Sequence, residues 1–256
     1  MANLQQLLRR LKRERIKPLA AFRAMRALIK NPDDTGQVFR VIEALKGDSI
    51  GASVRRLRAS PEGCALLSDK PAIVPVLNDK QALLAMPEGS IGRAYYDFVH
   101  GEHLSADGLV AASEAAPRHL DLSDDERWLG ERMRDIHDLQ HVMTGYGRDP
   151  VGELCLLSFM TQQTPNRGIN FIIFMGRQEY RNKMPDVTID DLVSEGRLIG
   201  LNAEWMAKIR WEARLHESLD AVREELGFKT PAQYLDYLRG PNVATSPAGS
   251  AANQAA

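Results

Sequence analysis

Apolar residues recur at helical spacing along most of this chain, and nowhere is the period-two alternation of a half-buried strand sustained. That pattern commits the sequence to an all-α fold, because an apolar stripe at 3.6-residue spacing cannot line one face of a sheet. Residues 35–46 show it plainly: Val38, Val41, Ile42 and Leu45 fall on one face of a helix that stops at Gly47. The segment nearest to a strand, Ile73-Val74-Pro75-Val76-Leu77, contains a proline that cannot donate to a ladder. Pro61, Gly63, Pro71, Pro75, Pro87 and Gly89 divide residues 61–92 into short helices and connections. With 256 residues, 44% of them apolar, the chain can bury a sizeable core in one multi-helix domain. Cys64 and Cys155 form no Cys-x-x-Cys pair and supply no disulfide framework.

Lys and Arg number 33 against 34 Asp and Glu, a formal net charge of -1, so no nucleic-acid partner is expected. Residues 9–30 depart from that balance, with nine basic residues against the single acid Glu14. Leu4, Leu7, Leu8, Leu11 and Ile16 before Pro18, and Leu19, Phe22, Met25, Leu28 and Ile29 after it, predict two short amphipathic helices broken at the proline. Such a basic helix either packs its apolar side on the core or lies on an anionic membrane surface. No run reaches the roughly 18 apolar residues of a transmembrane helix, and the N-terminus lacks the apolar stretch of a signal peptide. The expected division is a basic N-terminal segment at 1–17, a helical domain at 18–240, and a disordered tail at 241–256.

The residues that carry chemistry lie mid-chain. Ser123-Asp124-Asp125-Glu126 is a capping box that predicts one helix from Asp124 to Gly145. Within it His137 and His141 sit one turn apart, so both imidazoles project to the same place and can reach one metal ion at about 2.0–2.1 Å. Asp149-Pro150 then reads as an N-cap followed by proline at the first helical position, which puts Glu153 in the first turn of the next helix. A helix-turn-helix of this length can fold Glu153 back toward the histidines. Two imidazoles and one carboxylate leave open positions on the ion, as in catalytic zinc sites and in the facial triad of non-haem iron. Asp138, about 60° round the helix from His141, is either a further ligand or a carboxylate that orients a ligand imidazole. Zinc peptidases place a glutamate after the first histidine as general base; Asp138 is one methylene shorter and would hold an attacking water differently, which argues against peptidase chemistry.

At these residues the sequence resembles the coenzyme Q biosynthesis protein 4 family. That family's hallmark is His-Asp-x-x-His, eleven residues, then Glu, and His137-Asp138-Leu139-Gln140-His141 through Glu153 matches every fixed position. Met143-Thr144-Gly145 and Gly152-Glu153 are similar to the flanking family segments, with Val151 in place of the usual leucine. Met86-Pro87-Glu88-Gly89-Ser90-Ile91-Gly92-Arg93-Ala94-Tyr95 is similar to a second signature, and Trp211-Glu212 and Glu224-Glu225-Leu226-Gly227 resemble the closing helix. The resemblance covers roughly residues 20–240. It implies a metal site of His137, Asp138, His141 and Glu153 between consecutive helices, a divalent ion with zinc favoured over iron or another redox-active metal, and a hydrophobic prenyl-lipid groove. It also implies peripheral membrane association, other ubiquinone-biosynthesis proteins as partners, and a homodimer. The family's eukaryotic presequence is absent here, so the expected place of action is the cytoplasmic face of the inner membrane.

Other features have plainer readings beside functional ones. The segments Leu154–Met160 and Ile169–Met175 are more apolar than one helical face requires, so both are expected to be buried nearly all round, or in part to line a polyprenyl groove worth about 0.8 kcal/mol per buried CH₂. Trp205, Ile209, Glu212, His216, Leu219, Val222 and Leu226 follow an i, i+3, i+4 progression, which sets Glu212 and His216 in a paired structural network or an acid–base role. His100, His103 and His119 read as surface residues, and Arg93 as an anion contact or an ordinary helix-surface ion pair.

The function that the resemblance implies is metal-dependent removal of the C1 carboxylate from a polyprenyl 4-hydroxybenzoate intermediate in ubiquinone biosynthesis, with or without hydroxylation at that carbon. His137, His141 and Glu153 would hold the ion as a Lewis acid and Asp138 would deliver or accept the proton. The rival is a lipid-binding scaffold with a structural metal, which a fully occupied ligand shell would favour. A metal-dependent hydrolase is the third reading, favoured by an ordered metal-bound water beside a polar pocket.

Overall fold

The computed structural model describes residues 16–31, 34–100 and 122–240. Those residues form fourteen α-helices and two 3₁₀ turns, and no strand. In chain order the first are α1 (Pro18–Lys30), α2 (Thr35–Leu45), α3 (Ser49–Leu57), α4 (Pro61–Asp69), α5 (Val74–Leu77), α6 (Lys80–Leu84) and α7 (Ile91–His100). The remainder comprises α8 (Asp124–Asp135), α9 (His137–Thr144), α10 (Pro150–Gln163), α11 (Arg167–Lys183), α12 (Ile189–Asn202), α13 (Leu219–Glu225) and α14 (Ala232–Arg239), with 3₁₀ turns at Met206–Lys208 and Trp211–Ala213.

The fold is organised around α10. Its Leu154, Cys155, Leu156 and Phe159 are buried with Leu139 and Met143 of α9, Ile169 and Ile173 of α11, and Leu192 and Ile199 of α12. The closest partner is α12, and two glycines one turn apart explain why. A Cβ on Gly196 would overlap the Cys155 carbonyl oxygen, and one on Gly200 would stand 2.5 Å from that of Phe159, so only glycine lets the two backbones meet. Gln163 closes the far end of α10: its buried amide donates to the Gly200 and Ala203 carbonyls at 2.9 and 3.1 Å and accepts from the Met206 N–H at 2.8 Å. Every hydrogen bond a buried amide needs is thereby met within the fold.

Several expectations hold and several are corrected. The capping box forms, with the Glu126 N–H on Ser123 Oγ at 3.3 Å and the Ser123 N–H on Glu126 Oε2 at 2.9 Å. The predicted single helix from Asp124 to Gly145 is instead two, because Ile136 leaves helical geometry at φ -87°, ψ 8°. His137 therefore opens a new helix, and Asp138 sits in its first turn, where a carboxylate suits the helix dipole. Residues 73–77 hold no strand but the short helix α5. The stripe from Trp205 to Leu226 is not one helix either: two 3₁₀ turns and a loop precede α13. All-round burial holds for α10 but not for α11, where Phe174 is 63% exposed on the same outward side as Arg167 and Asn170. Both cysteines are free, Cys64 exposed and Cys155 buried.

Glu212 is engaged in a structural pair. Arg132, its side chain 1% exposed, donates to Glu212 Oε1 and Oε2 at 2.6 and 3.1 Å and to the Ile209 carbonyl at 2.6 Å. His216 is exposed. Arg93 makes the ordinary helix pair with Asp97 at 3.3 Å. His100 is half-buried rather than on the surface, stacked on Tyr96 with Nδ1 against the Tyr96 carbonyl at 3.0 Å. His103, His119, the segment 1–15 and the tail 241–256 lie outside the described residues.

Candidate metal centre

Two helices and the loop between them assemble the site. α9 carries His137, Asp138 and His141; Gly145, at φ 79°, ends it in the left-handed turn that glycine adopts without strain. Asp149 caps α10 as expected, accepting from the Val151 and Gly152 N–H groups at 3.1 Å each, so Glu153 projects from the first turn. The loop folds Glu153 back over the histidines. Glu153 Oε1 stands 3.2 Å from His141 Nε2, and Oε2 stands 3.9 Å from His137 Nε2. One ligand atom each of His137, Asp138 and His141 also lies within 4.8 Å of the others. The three residues expected from the spacing, and Asp138, which the family resemblance adds, are thus brought together.

Burial grades across the cluster. The His141 side chain is 0% exposed and that of Glu153 37%, with Asp138 and His137 between, so His141 forms the floor and Glu153 the mouth. His141 Nδ1 lies 2.9 Å from the Tyr146 carbonyl, which accepts only a donated proton. That contact places a proton on Nδ1 and turns Nε2 toward Glu153. Nε2 is buried without a hydrogen bond, and such an orphan is costly unless something else occupies it.

A metal ion could occupy this position. Two donors each about 2.1 Å from one ion stand between about 3 Å apart at right angles and about 4 Å apart when opposed. The separations of 3.2 and 3.9 Å from Glu153 to the two histidines fall within that span. His137 turns Nδ1 toward Asp138 Oδ1 at 3.4 Å and so directs Nε2 to Glu153. Asp138 Oδ1 also receives Arg148 at 3.0 Å.

The charges support one another. Burial opposes protonation of His137, yet Asp138 and Glu153 outweigh it and raise its pKa above the ordinary histidine value. Burial would raise both carboxylates, but His137 and Arg148 hold Asp138 below its usual value, and the two imidazoles do the same for Glu153. Phe98 of α7 stacks on His141 with ring centroids 5.2 Å apart and carries the Arg148 guanidinium 4.9 Å from its ring centre. Sequence reasoning missed Phe98 and Arg148. The turn-rich run Gly145-Tyr146-Gly147-Arg148 pointed to a loop there, and nothing in it signalled that the loop's own side chain reaches back to Asp138.

Fold and site together define an all-helical protein with a largely buried two-histidine, two-carboxylate cluster that could hold a metal ion. Residues 10–232 match the family described as coenzyme Q (ubiquinone) biosynthesis protein Coq4. The chain belongs to that family, and its role lies in ubiquinone biosynthesis. It is 28% identical over 186 residues to the mitochondrial ubiquinone biosynthesis protein COQ4 homologues of Rattus norvegicus and Homo sapiens, covering 72% of this chain and 67% of each relative. A further relative, mitochondrial coq4 of Sclerotinia sclerotiorum, is 28% identical over 177 residues, 68% of this chain and 59% of that protein. The crystal structure of a candidate ubiquinone biosynthesis protein from Nostoc punctiforme shares the fold, with a TM-score of 0.61 at 22% identity over 82% of this chain and 95% of that one.

Proposed function

We propose that this protein removes the C1 carboxylate of a polyprenyl 4-hydroxybenzoate intermediate, using a divalent ion held by His137, His141 and Glu153 with Asp138 beside it. The observation that carries the reading is the buried His141 Nε2, its ring oriented by Tyr146 through Nδ1, which faces Glu153 Oε1 at 3.2 Å and makes no well-aligned hydrogen bond. When bound, the ion supplies Lewis acidity toward the substrate's oxygens, or redox chemistry with O₂ if it is iron-like. Asp138 serves as the acid–base group, its charge balanced by Arg148. In the simple reaction CO₂ leaves and the ring carbon takes a proton. In the oxidative one CO₂ leaves, the same carbon takes a hydroxyl from O₂, and a two-electron donor such as a reduced nicotinamide or flavin, with protons from solvent, reduces the second oxygen to water.

The prenylated substrate calls for a membrane, and α1 is suited to meet one. Leu19, Phe22 and Ile29 are exposed on the helix that also carries Arg23, Arg26 and Lys30, the composition of an interfacial helix on anionic lipid. No helix among the described residues is long and apolar enough to cross a bilayer. Other quinone-pathway proteins are its expected partners. Complementation tests the reading: Glu153→Ala at matched abundance should fail to restore ubiquinone to cells lacking this protein, and full restoration would refute it.

A further inference from the structure

The loop from Gly145 to Asp149 does more than connect two helices, because three of the four candidate ligands depend on it. Tyr146 O receives the His141 Nδ1–H at 2.9 Å. Arg148 holds Asp138 at 3.0 Å. Asp149 caps the helix whose first turn bears Glu153.

What fixes the loop comes from the other end of the chain. Tyr234, on α14, is buried, and its hydroxyl accepts from the Gly147 N–H at 3.0 Å while donating to Asp149 Oδ2. A single hydroxyl has one proton to donate and lone pairs to accept, so both contacts are made at once. Asp149 Oδ1 stays free for the α10 cap. The space is cut to this hydroxyl: a Cβ on Gly147 or Gly152 would stand 2.6 or 2.8 Å from it. Tyr146 packs its ring edge-on to Tyr234, with centroids 5.2 Å apart, so the residue that orients His141 rests directly on the one that ties the loop. α14 is itself anchored, since Glu195 of α12 accepts from the Gln233 and Tyr234 N–H groups at 2.8 and 3.2 Å.

We infer that Tyr234 is a positioning residue for the metal centre, its hydroxyl holding the 145–149 loop in the one shape that aims His141, Asp138 and Glu153 at a common point. The inference rests on the metal reading above. Groups that orient ligands in this way typically contribute 10- to 100-fold in metal affinity when removed. Tyr234→Phe keeps the ring and deletes both hydrogen bonds.

The test is a Zn²⁺ titration against a competing chelator, together with nitrogen NMR of the metal-free chain to read the His141 tautomer. Wild type should bind one Zn²⁺, His141→Ala none, and Tyr234→Phe should bind about 10- to 100-fold more weakly with a new Nε2–H population at His141. Thr164→Val is the control: it deletes a comparable hydrogen bond, Trp205 Nε1 to Thr164 Oγ1 at 3.0 Å, at the opposite end of α10, and should bind within twofold of wild type. Equal affinity in wild type and Tyr234→Phe overturns the inference and leaves the metal reading standing. Equal weakening in Thr164→Val also overturns it, since general loosening then accounts for the loss. A wild-type chain that binds no Zn²⁺ removes both.

Discussion

Replacing Glu212 by leucine should destabilise this protein more than replacing Glu212 and Arg132 together. Arg132 is buried, with two hydrogen bonds to Glu212 and one to the Ile209 carbonyl. Glu212→Leu strands a guanidinium that water cannot reach, a loss of about 3–5 kcal/mol for a broken buried pair. At about 2–4 °C per kcal/mol for a domain of this size, the melting midpoint should fall by about 6–20 °C. Arg132→Met with Glu212→Leu removes the stranded charge and leaves the Ile209 carbonyl without its donor, about 1–3 kcal/mol, partly offset by the methionine and leucine side chains packing together. Urea unfolding of the two variants and wild type reads the difference. A double variant as unstable as the single one would refute the reasoning, because the stranded charge would then not be the cause.

Three further outcomes follow from other sites. Gly196→Ala should cost about 1–3 kcal/mol in urea unfolding, since the new methyl group overlaps the Cys155 carbonyl oxygen and forces α10 from α12; an unchanged midpoint would mean the backbones are not that close. In the metal-free chain, Asp138 and Glu153 have depressed pKa values and His137 a raised one. The carboxylates' contribution is present above their unfolded values near 4 and lost as pH falls through the folded ones, while that of His137 is full below about 6.5 and lost as pH rises through its folded value. Thermal midpoints should therefore peak between about pH 4.5 and 6.5, and His137→Asn should flatten the alkaline side; an unaltered alkaline limb would contradict the assignment. Leu19→Glu with Phe22→Glu should abolish sedimentation with vesicles containing anionic lipid, and retention of binding would take α1 out of the membrane contact.

The helical class and the meeting of His137, His141 and Glu153 were legible because both rest on local spacing. Histidines one turn apart share a face wherever a helix forms, and Asp149-Pro150 announces the start of α10 and hence the register of Glu153. The break at Ile136 was not legible, since Asp135-Ile136-His137 contains no glycine or proline to mark it. Nor could spacing reveal Phe98, Arg148 or Tyr234 as neighbours of the cluster. Their contacts depend on how α7, the 145–149 loop and α14 pack, as does the pairing of Glu212 with Arg132 across eighty residues. The apolar excess of residues 169–175 pointed to burial nearly all round or to a part lining a groove, and could not tell that Phe174 would stand exposed.

The central claim is that His141 and its neighbours act in removing the C1 carboxylate. Cells lacking this protein, complemented with wild type or with His141→Ala at equal abundance, would be fed 4-hydroxybenzoate carrying ¹³C in its carboxyl group, and their prenylated intermediates analysed by mass spectrometry. A prenylated intermediate that retains the ¹³C should accumulate with His141→Ala and not with wild type. Normal ubiquinone with His141→Ala, and no retained label, would contradict the claim and favour a lipid-presenting scaffold in which the cluster takes no part in the chemistry.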